Sequence, residues 1–288
     1  MLVLAFLAPV LFFMTFMALY MVVPADASLA VHSWWAVLST LAIVNPIAWM
    51  IIMKKAPAFR RPQLLLSLGY VLGCGFRSLL PRADVQRICL VDSWISSVAV
   101  GRSVATIAEL CFAAQLALIL REYSKEAGSP LGDAFSRLIF PLLVLAECFS
   151  WFGVISTNYI GNTIEESLWT LSALLLACGL ASLLRVSEGR QRRLLQAAIV
   201  GCGLYICFMI SVDVKMYATR WLADEAAGKI YLSFADGFRD VSSRWHVTFD
   251  IEQWRTEIPW MTAYFSFAVW TSIGICRLGR FTVSPSRQ

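Results

Sequence analysis

The chain is expected to be an all-α protein, a polytopic bundle of about eight transmembrane helices with a partly helical outer cap between the last two. Three observations lead there. Of its 288 residues, 59% are hydrophobic and only 15% are charged, and the mean hydropathy is +0.68, a balance that a soluble fold of this size could not hide from water. Apolar runs recur along the whole chain, each near the roughly 20 residues a helix needs to cross a hydrocarbon core of about 30 Å. Lys and Arg gather in alternate connections between those runs, as they do when one side of the membrane retains them. Lipid offers no partner to irregular backbone, so the runs must be helices.

The expected spans cover residues 2–23, 32–53, 64–80, 102–120, 138–157, 167–184, 194–212 and 258–276. The first is free of charge. It also resembles a signal peptide, because Ala25-Asp26-Ala27 follows it as a small-residue cleavage site would. A retained helix is the better reading, since no basic segment precedes it and its apolar run exceeds the roughly 7 to 15 residues of a signal core. The second span contains Asn45-Pro46, where proline removes one backbone hydrogen bond. The third is short and carries Gly69, Gly73, Gly75 and Arg77; if it were re-entrant, every later orientation would invert. The fourth and fifth hold one carboxylate each, Glu109 and Glu147, and the last three hold no charge.

Orientation follows from the connections. Lys54, Lys55, Arg60 and Arg61 follow span two; Arg121, Lys125 and Arg137 follow span four; Arg185, Arg190, Arg192 and Arg193 follow span six; Arg277, Arg280 and Arg287 lie in the tail. Eight crossings put all of these on one side, so both termini are expected in the cytoplasm. Of the acidic residues, only Glu122, Glu126, Asp133 and Glu188 fall on that side. The inner rim is therefore basic and suited to anionic lipid, and the outer face is mildly acidic. No Asn-X-Ser/Thr acceptor is present, and a bacterial inner (plasma) membrane is the expected location.

Several chemistries are excluded. The two histidines, His32 and His246, are too few for a His-rich zinc or di-iron site. Seven of the eight cysteines fall in or at the ends of spans, where they read as small packing residues, and Cys89 sits alone in an outer connection. CxxC, HExxH, GxSxG and Walker A motifs are absent. No cofactor, metal or nucleic-acid partner is expected.

Ionisable groups inside the membrane remain, and their cost makes function the default expectation. Arg102, Thr106 and Glu109 share one helical stripe, by spacings of four and three. Glu147 lies near the middle of its span, with Ser150 and Trp151 one turn outward. Arg77, Asp92, Asn158 and Asp213 complete the candidate binding residues, and Asn162, Glu165 and Glu166 are placed in an outer connection over 158–166. The structural alternative is an interhelical lock, with Glu109 paired to Arg77 or Arg102. The segment 214–257 is read as an extracytoplasmic cap within a single membrane domain spanning 1–288, with a short helix over 219–227 and an amphipathic stretch over 230–241. In it, His246 with Asp250, Glu252 and Glu257 is the best acid/base cluster outside the spans.

Three functions fit these residues. One is an outward-facing acidic cavity that binds or transports a small polar or cationic molecule or a proton, with Glu109 and Glu147 at its floor. Another is a membrane enzyme acting on a lipid or lipid-linked substrate, with Glu109, Glu147, His246 or Asp250 as catalytic groups. The last is a structural subunit of a membrane complex. Membrane lipids, a small-molecule or lipid ligand and a membrane-complex partner are the corresponding expected partners.

Overall fold

A computed structural model describes residues 27–283. The first expected span, its signal-peptide alternative and Arg287 lie outside the described residues. Within them the chain is mostly helix, with very little strand: α1 Ala27–Met53, α2 Arg61–Leu79, α3 Val98–Glu126, α4 Pro130–Ser156, α5 Tyr159–Leu183, α6 Gly189–Phe208, α7 Val214–Ala226, α8 Phe234–Ser243, α9 Ile251–Trp254, α10 Glu257–Ala263 and α11 Val269–Ile275. Two π-helical turns, Met209–Asp213 and Tyr264–Ala268, join α6 to α7 and α10 to α11. Among the described residues, five stretches are long and apolar enough to cross a membrane: Leu29–Met53, Val98–Glu126, Pro130–Ser156, Tyr159–Val186 and Gly189–Ala226.

The all-α class holds, and two finer expectations need correcting. Three two-residue strands accompany the helices: β1 Arg82–Ala83 pairs antiparallel with β2 Ile88–Cys89, which pairs in parallel with β3 His246–Val247. Such short strands have no apolar alternation to betray them, and only the backbone pairing of distant segments creates them. The expected connection over 158–166 is helix from Tyr159 onward, because Thr157 turns the chain in the left-handed region and Asn158 accepts from the Ile160 amide to cap α5. The segment after residue 213 does not begin as a loop. The helix of α6 runs through its π turn into α7, so Gly189–Ala226 is one helical stretch.

The chain divides into two compact units, one of Met1–Ala108 with Ser242–Arg277, the other of Glu109–Val241 with Leu278–Gln288. In the first, α1 packs along α2 and against α11. Trp34 and Trp254 are fully buried with ring centroids 5.5 Å apart, and the Trp34 Nε1 donates to Thr262 Oγ1 at 3.0 Å. The kink residue pair of α1 has a defined use. Asn45 is buried, its Nδ2 donates to the Phe265 carbonyl at 2.9 Å in the π turn, and its Oδ1 accepts from Trp270 Nε1 at 2.6 Å. A π turn leaves carbonyls without their regular helical partner, and this side chain satisfies one. Asn45→Leu should therefore lower unfolding stability by about 1–3 kcal/mol through an orphaned carbonyl and indole N–H. Thermal unfolding of the variant in lipid nanodiscs checks this, and an unchanged midpoint would contradict it.

The second unit is built on the α4–α5 hairpin. Ser129 accepts from the Gly132 amide and Pro130 opens α4, an N-terminus defined by its own sequence. The buried positions of α4 include Ser136, Ile139, Leu143, Ala146, Glu147, Ser150 and Val154. Their three- and four-residue spacing makes a single stripe. Gly161, Asn162, Glu165, Ser172, Leu176, Gly179 and Leu183 form the matching stripe of α5. The stripes meet closely where Gly161 lies on the backbone of Gly153 and Phe149. Residues 279 and 281 return to α3, where the Tyr123 hydroxyl donates to the Gly279 carbonyl and the Phe281 amide to Glu126.

Candidate functional site

The polar stripes of the hairpin carry the chemistry. Gly153 faces Gly161, so Ser150, three residues back on α4, comes level with Glu165, four residues forward on α5. From the helix ends nearest the hairpin turn, Glu165 is about 9 Å and Glu147 about 14 Å along the axis, at 1.5 Å per residue. Glu109 lies about 16 Å from the start of α3 by the same measure. The three buried carboxylates converge, each offering an oxygen within 4.8 Å of the others. Asn162 donates from Nδ2 to Glu165 Oε2 at 3.1 Å.

Hydroxyl and amide groups around the acids are turned inward. Helical serines commonly fold their hydroxyl back to a carbonyl one turn earlier, as Ser156 does to Phe152 and Ser167 to Thr163. Ser150 and Ser172 do not: both are buried, and neither Oγ has a hydrogen-bond partner. The Oδ1 of buried Asn162 is likewise without a partner. Tyr205 of α6 stands within electrostatic reach of Glu109, Glu165, Glu166 and Asp213. Five acids, with Glu147, thus occupy one neighbourhood of the second unit, and Asp213 sits buried on its π turn. Three carboxylates packed this closely away from water cannot all carry charge without protons or cations to offset it. Oxygen-only donors of this kind suit a hard cation.

By the proximity of their oxygens, Glu109, Glu147 and Glu165 are the residues that could hold a metal ion. Sequence screens for metals look for His and Cys at fixed spacing, whereas these ligands come from three helices at separations of 38 and 18 residues. The sequence places Glu165 in the outer connection over 158–166, at the mouth of a site, whereas the structure has it within α5. The signal that could have placed it is the helical run of polar residues at 158, 162, 165 and 172, continuous with the apolar span that follows.

Other candidate residues lie elsewhere. Trp151 and Asn158 belong to the second unit but are half-buried, and Asn158 serves as the cap of α5. Arg77, Asp92, Arg102, Thr106, His246 and Asp250 belong to the first unit. Arg77 is buried, 3.9 Å from Asp84, with its guanidinium over the Trp260 ring at 6.0 Å. Asp92 is exposed and accepts from Trp245 Nε1. His246 is an exposed residue of β3, its amide bonded to the Arg87 carbonyl, and Asp250 caps α9. Neither of these last two is oriented by the other through a bond of the kind an acid/base pair uses.

A second polar centre, in the connection between α2 and α3, was not foreseen. Buried Arg82 donates from Nε to Asp84 at 2.6 Å and from Nη1 to the carbonyls of Ser96 and Ser97. Burial would push the Asp84 carboxyl up, but the guanidiniums of Arg82, Arg77 and Arg102 outweigh it and hold the group down at about 2. Burial lowers Arg82 from its ordinary value, against the pull of Asp84. Cys89, in β2, is a buried free thiol that burial pushes up. This knot organises backbone.

No protein-family model matches the chain, and neither a curated protein nor a solved structure matches it significantly. The functional reading rests on the residues themselves.

Proposed function

We propose that this is a multi-pass membrane protein that takes up protons or a small cation at an intramembrane acidic site formed by Glu109, Glu147 and Glu165. The observation that carries the reading is the approach of three buried carboxylates to within 4.8 Å on three apolar helices. Intramembrane acids are costly enough that they mark ion or proton paths more often than structure alone. The outward faces support the membrane assignment. Ile43, Ile47 and Ile51 of α1, Leu171 and Leu174 of α5, and Val200 and Leu204 of α6 are large apolar side chains left exposed, as lipid-facing positions are.

The topology that fits best has eight crossings with both termini cytoplasmic. The shorter helices α2 and α10–α11 then cross along with the five long ones and the segment 2–23. Basic connections fall on one side by alternation, favouring the bacterial plasma membrane and contact with anionic lipid headgroups. The site then opens toward the outer face, because the α4–α5 turn nearest to Glu165 lies there. Gly189–Ala226 has 38 residues, about 57 Å of helix, so its far end stands beyond a core of about 30 Å.

A hydrophobic carbodiimide tests the reading, since it modifies carboxyl groups that are protonated within apolar surroundings. In membranes or nanodiscs, mass-spectrometric mapping should find modification at Glu109, Glu147 or Glu165, strongest in acid and at least tenfold reduced in Glu165→Gln or Glu147→Gln. Unmodified peptides at every pH, or modification indifferent to pH, would contradict it.

A further inference from the structure

We infer that ordered water, held by Asn162, Ser150 and Ser172, carries protons to the acidic site along the inner stripes of α4 and α5, on a path that ends at Ser172; this rests on the acidic-site reading and narrows its ligand to the proton. The observation behind it is independent of the acids. A helical serine can always reach a carbonyl three or four residues earlier, and Ser78, Ser136, Ser156, Ser211 and Ser266 all donate to one. Ser150 and Ser172 lie on the buried stripes of α4 and α5, at 0% and 3% exposure, and neither Oγ has a hydrogen-bond partner. Asn162 donates from Nδ2 to Glu165, which leaves its Oδ1 buried and unbonded beside Gly153. Buried oxygens without partners are rare, and the usual remedy inside a protein is a water molecule that bonds about 2–4 polar groups.

The three oxygens bracket the acids. Asn162 lies at the Gly153–Gly161 contact, and Ser150 comes level with Glu165. Ser172 is seven residues past Glu165, about 10 Å further along α5 at 1.5 Å per residue. Leu120 of α3 lies on Gly179 of α5, so Glu109, eleven residues earlier, comes level with Leu168, and Ser172 is one turn beyond it. The donors of one metal ion gather within about 2.6 Å of a single point, whereas these oxygens are spread over ten residues of α5, about 15 Å. A file of waters fits that spread. Hydrogen-bonded oxygens sit about 2.8 Å apart, so about three waters, together with the carboxylates, join Glu165 to Ser172. Each transfer along the file makes one O–H bond as another breaks, and a proton taken at one end arrives on a carboxylate while every water stays in place.

Beyond Ser172 the same stripes are apolar. α4 continues with Leu143 and Ile139, and α5 with Leu176, Leu180 and Leu183, all buried. The next hydroxyl on α4, Ser136, is turned back on the Asp133 carbonyl. Apolar walls hold no ordered water, because water needs polar partners. Protons therefore enter at the hairpin turn, where Thr157 and Asn158 are half-buried, and the path is a well that stops at Ser172.

X-ray radiolytic labelling of the full chain in lipid nanodiscs tests the path, because hydroxyl radicals formed from an ordered water modify the side chains around it even where bulk solvent does not reach. Mass-spectrometric mapping should find Leu143 and Leu176, which flank Ser172, labelled at least fivefold more than the equally apolar Ile139 and Leu183. Ser172→Ala should cut the labelling of Leu143 and Leu176 at least fivefold, and Ser172→Thr, which keeps a hydroxyl, should retain it. Labelling of Leu143 and Leu176 no stronger than that of Ile139 and Leu183, with pH-dependent carbodiimide modification of the glutamates retained, overturns the water path and leaves the acidic site standing. Absence of both overturns the inference and the acidic-site reading together. Strong labelling at all four positions puts water beyond Ser172, and labelling indifferent to Ser172→Ala puts it elsewhere; either overturns the inference.

Discussion

Gly161→Val is expected to abolish folded protein. A Cβ at residue 161 would lie 2.6 Å from the Gly153 Cα and N and from the Phe149 carbonyl oxygen. All three are backbone atoms of α4, so no side chain can rotate away, and the hairpin must open to admit even one methyl group. Overpacking a core ordinarily costs about 1–3 kcal/mol, and valine adds two further carbons at a backbone contact, so its cost should exceed the upper end of that range. Opening the hairpin also separates Glu147 from Glu165. Gly201→Ala on α6 is the matched control, because a Cβ there meets nothing within 4 Å. Size-exclusion profiles and thermal unfolding should show the Gly161 variant aggregated or absent and the Gly201 variant normal. A monodisperse Gly161→Val protein with a parental unfolding midpoint would refute the packing described for α4 and α5.

The second large effect is expected at Asp84. Its carboxyl is held at about 2, below the ordinary 3.8, by three guanidiniums that overcome the penalty of burial. A carboxylate whose folded value is depressed contributes stability above its unfolded value, and that contribution fades as pH falls from about 4 through about 2. The size of the shift corresponds to about 2 kcal/mol. Removing the charge costs more, because Arg82 would stay buried with its ionic partner gone, and breaking a buried pair costs about 3–5 kcal/mol. Asp84→Asn should therefore unfold at markedly lower temperature at pH 7. Its stability should also vary less than the parent's between pH 4 and pH 2, a comparison that cancels titration of the other acids. An Asp84→Asn protein within about 1 kcal/mol of the parent would contradict the knot's structural role.

How much of this was legible in the sequence depends on the range of the interaction. Helices over the apolar runs were readable because their cause is local: residues such as those of 194–212 have only one way to satisfy their backbone in lipid. Glu109 and Glu147 were identifiable for the same reason, as charges inside apolar runs. Glu165 was misplaced because the end of its helix is decided by the Asn158 cap and the Gly153–Gly161 contact, and the second of these is tertiary. Helical phase hid the convergence itself: one chain shows that Glu109 and Glu147 lie on stripes, not which stripes face each other. Asn45 shows the reverse case. Its proline neighbour announced an irregularity, but the use of that irregularity, a clamp on a π turn more than 200 residues later, depends on a pairing no local pattern encodes. Arg82 and Asp84 are two residues apart in a connection and looked like ordinary loop charges; their burial against the Ser96 and Ser97 carbonyls distinguishes them.

The most direct test of the acidic site is infrared difference spectroscopy of the protein in nanodiscs, titrated from pH 8 to pH 4 and read in the carbonyl-stretch region of protonated carboxyl groups. The parent should show a band that grows with acid in the narrow, blue-shifted position of carboxyls sheltered from water, and the Glu109→Gln/Glu147→Gln/Glu165→Gln protein should lack that band while keeping its helical amide signal. A triple variant whose spectrum matches the parent's, or a parent whose acids titrate only as exposed carboxyls do, would contradict an intramembrane site that exchanges protons or cations.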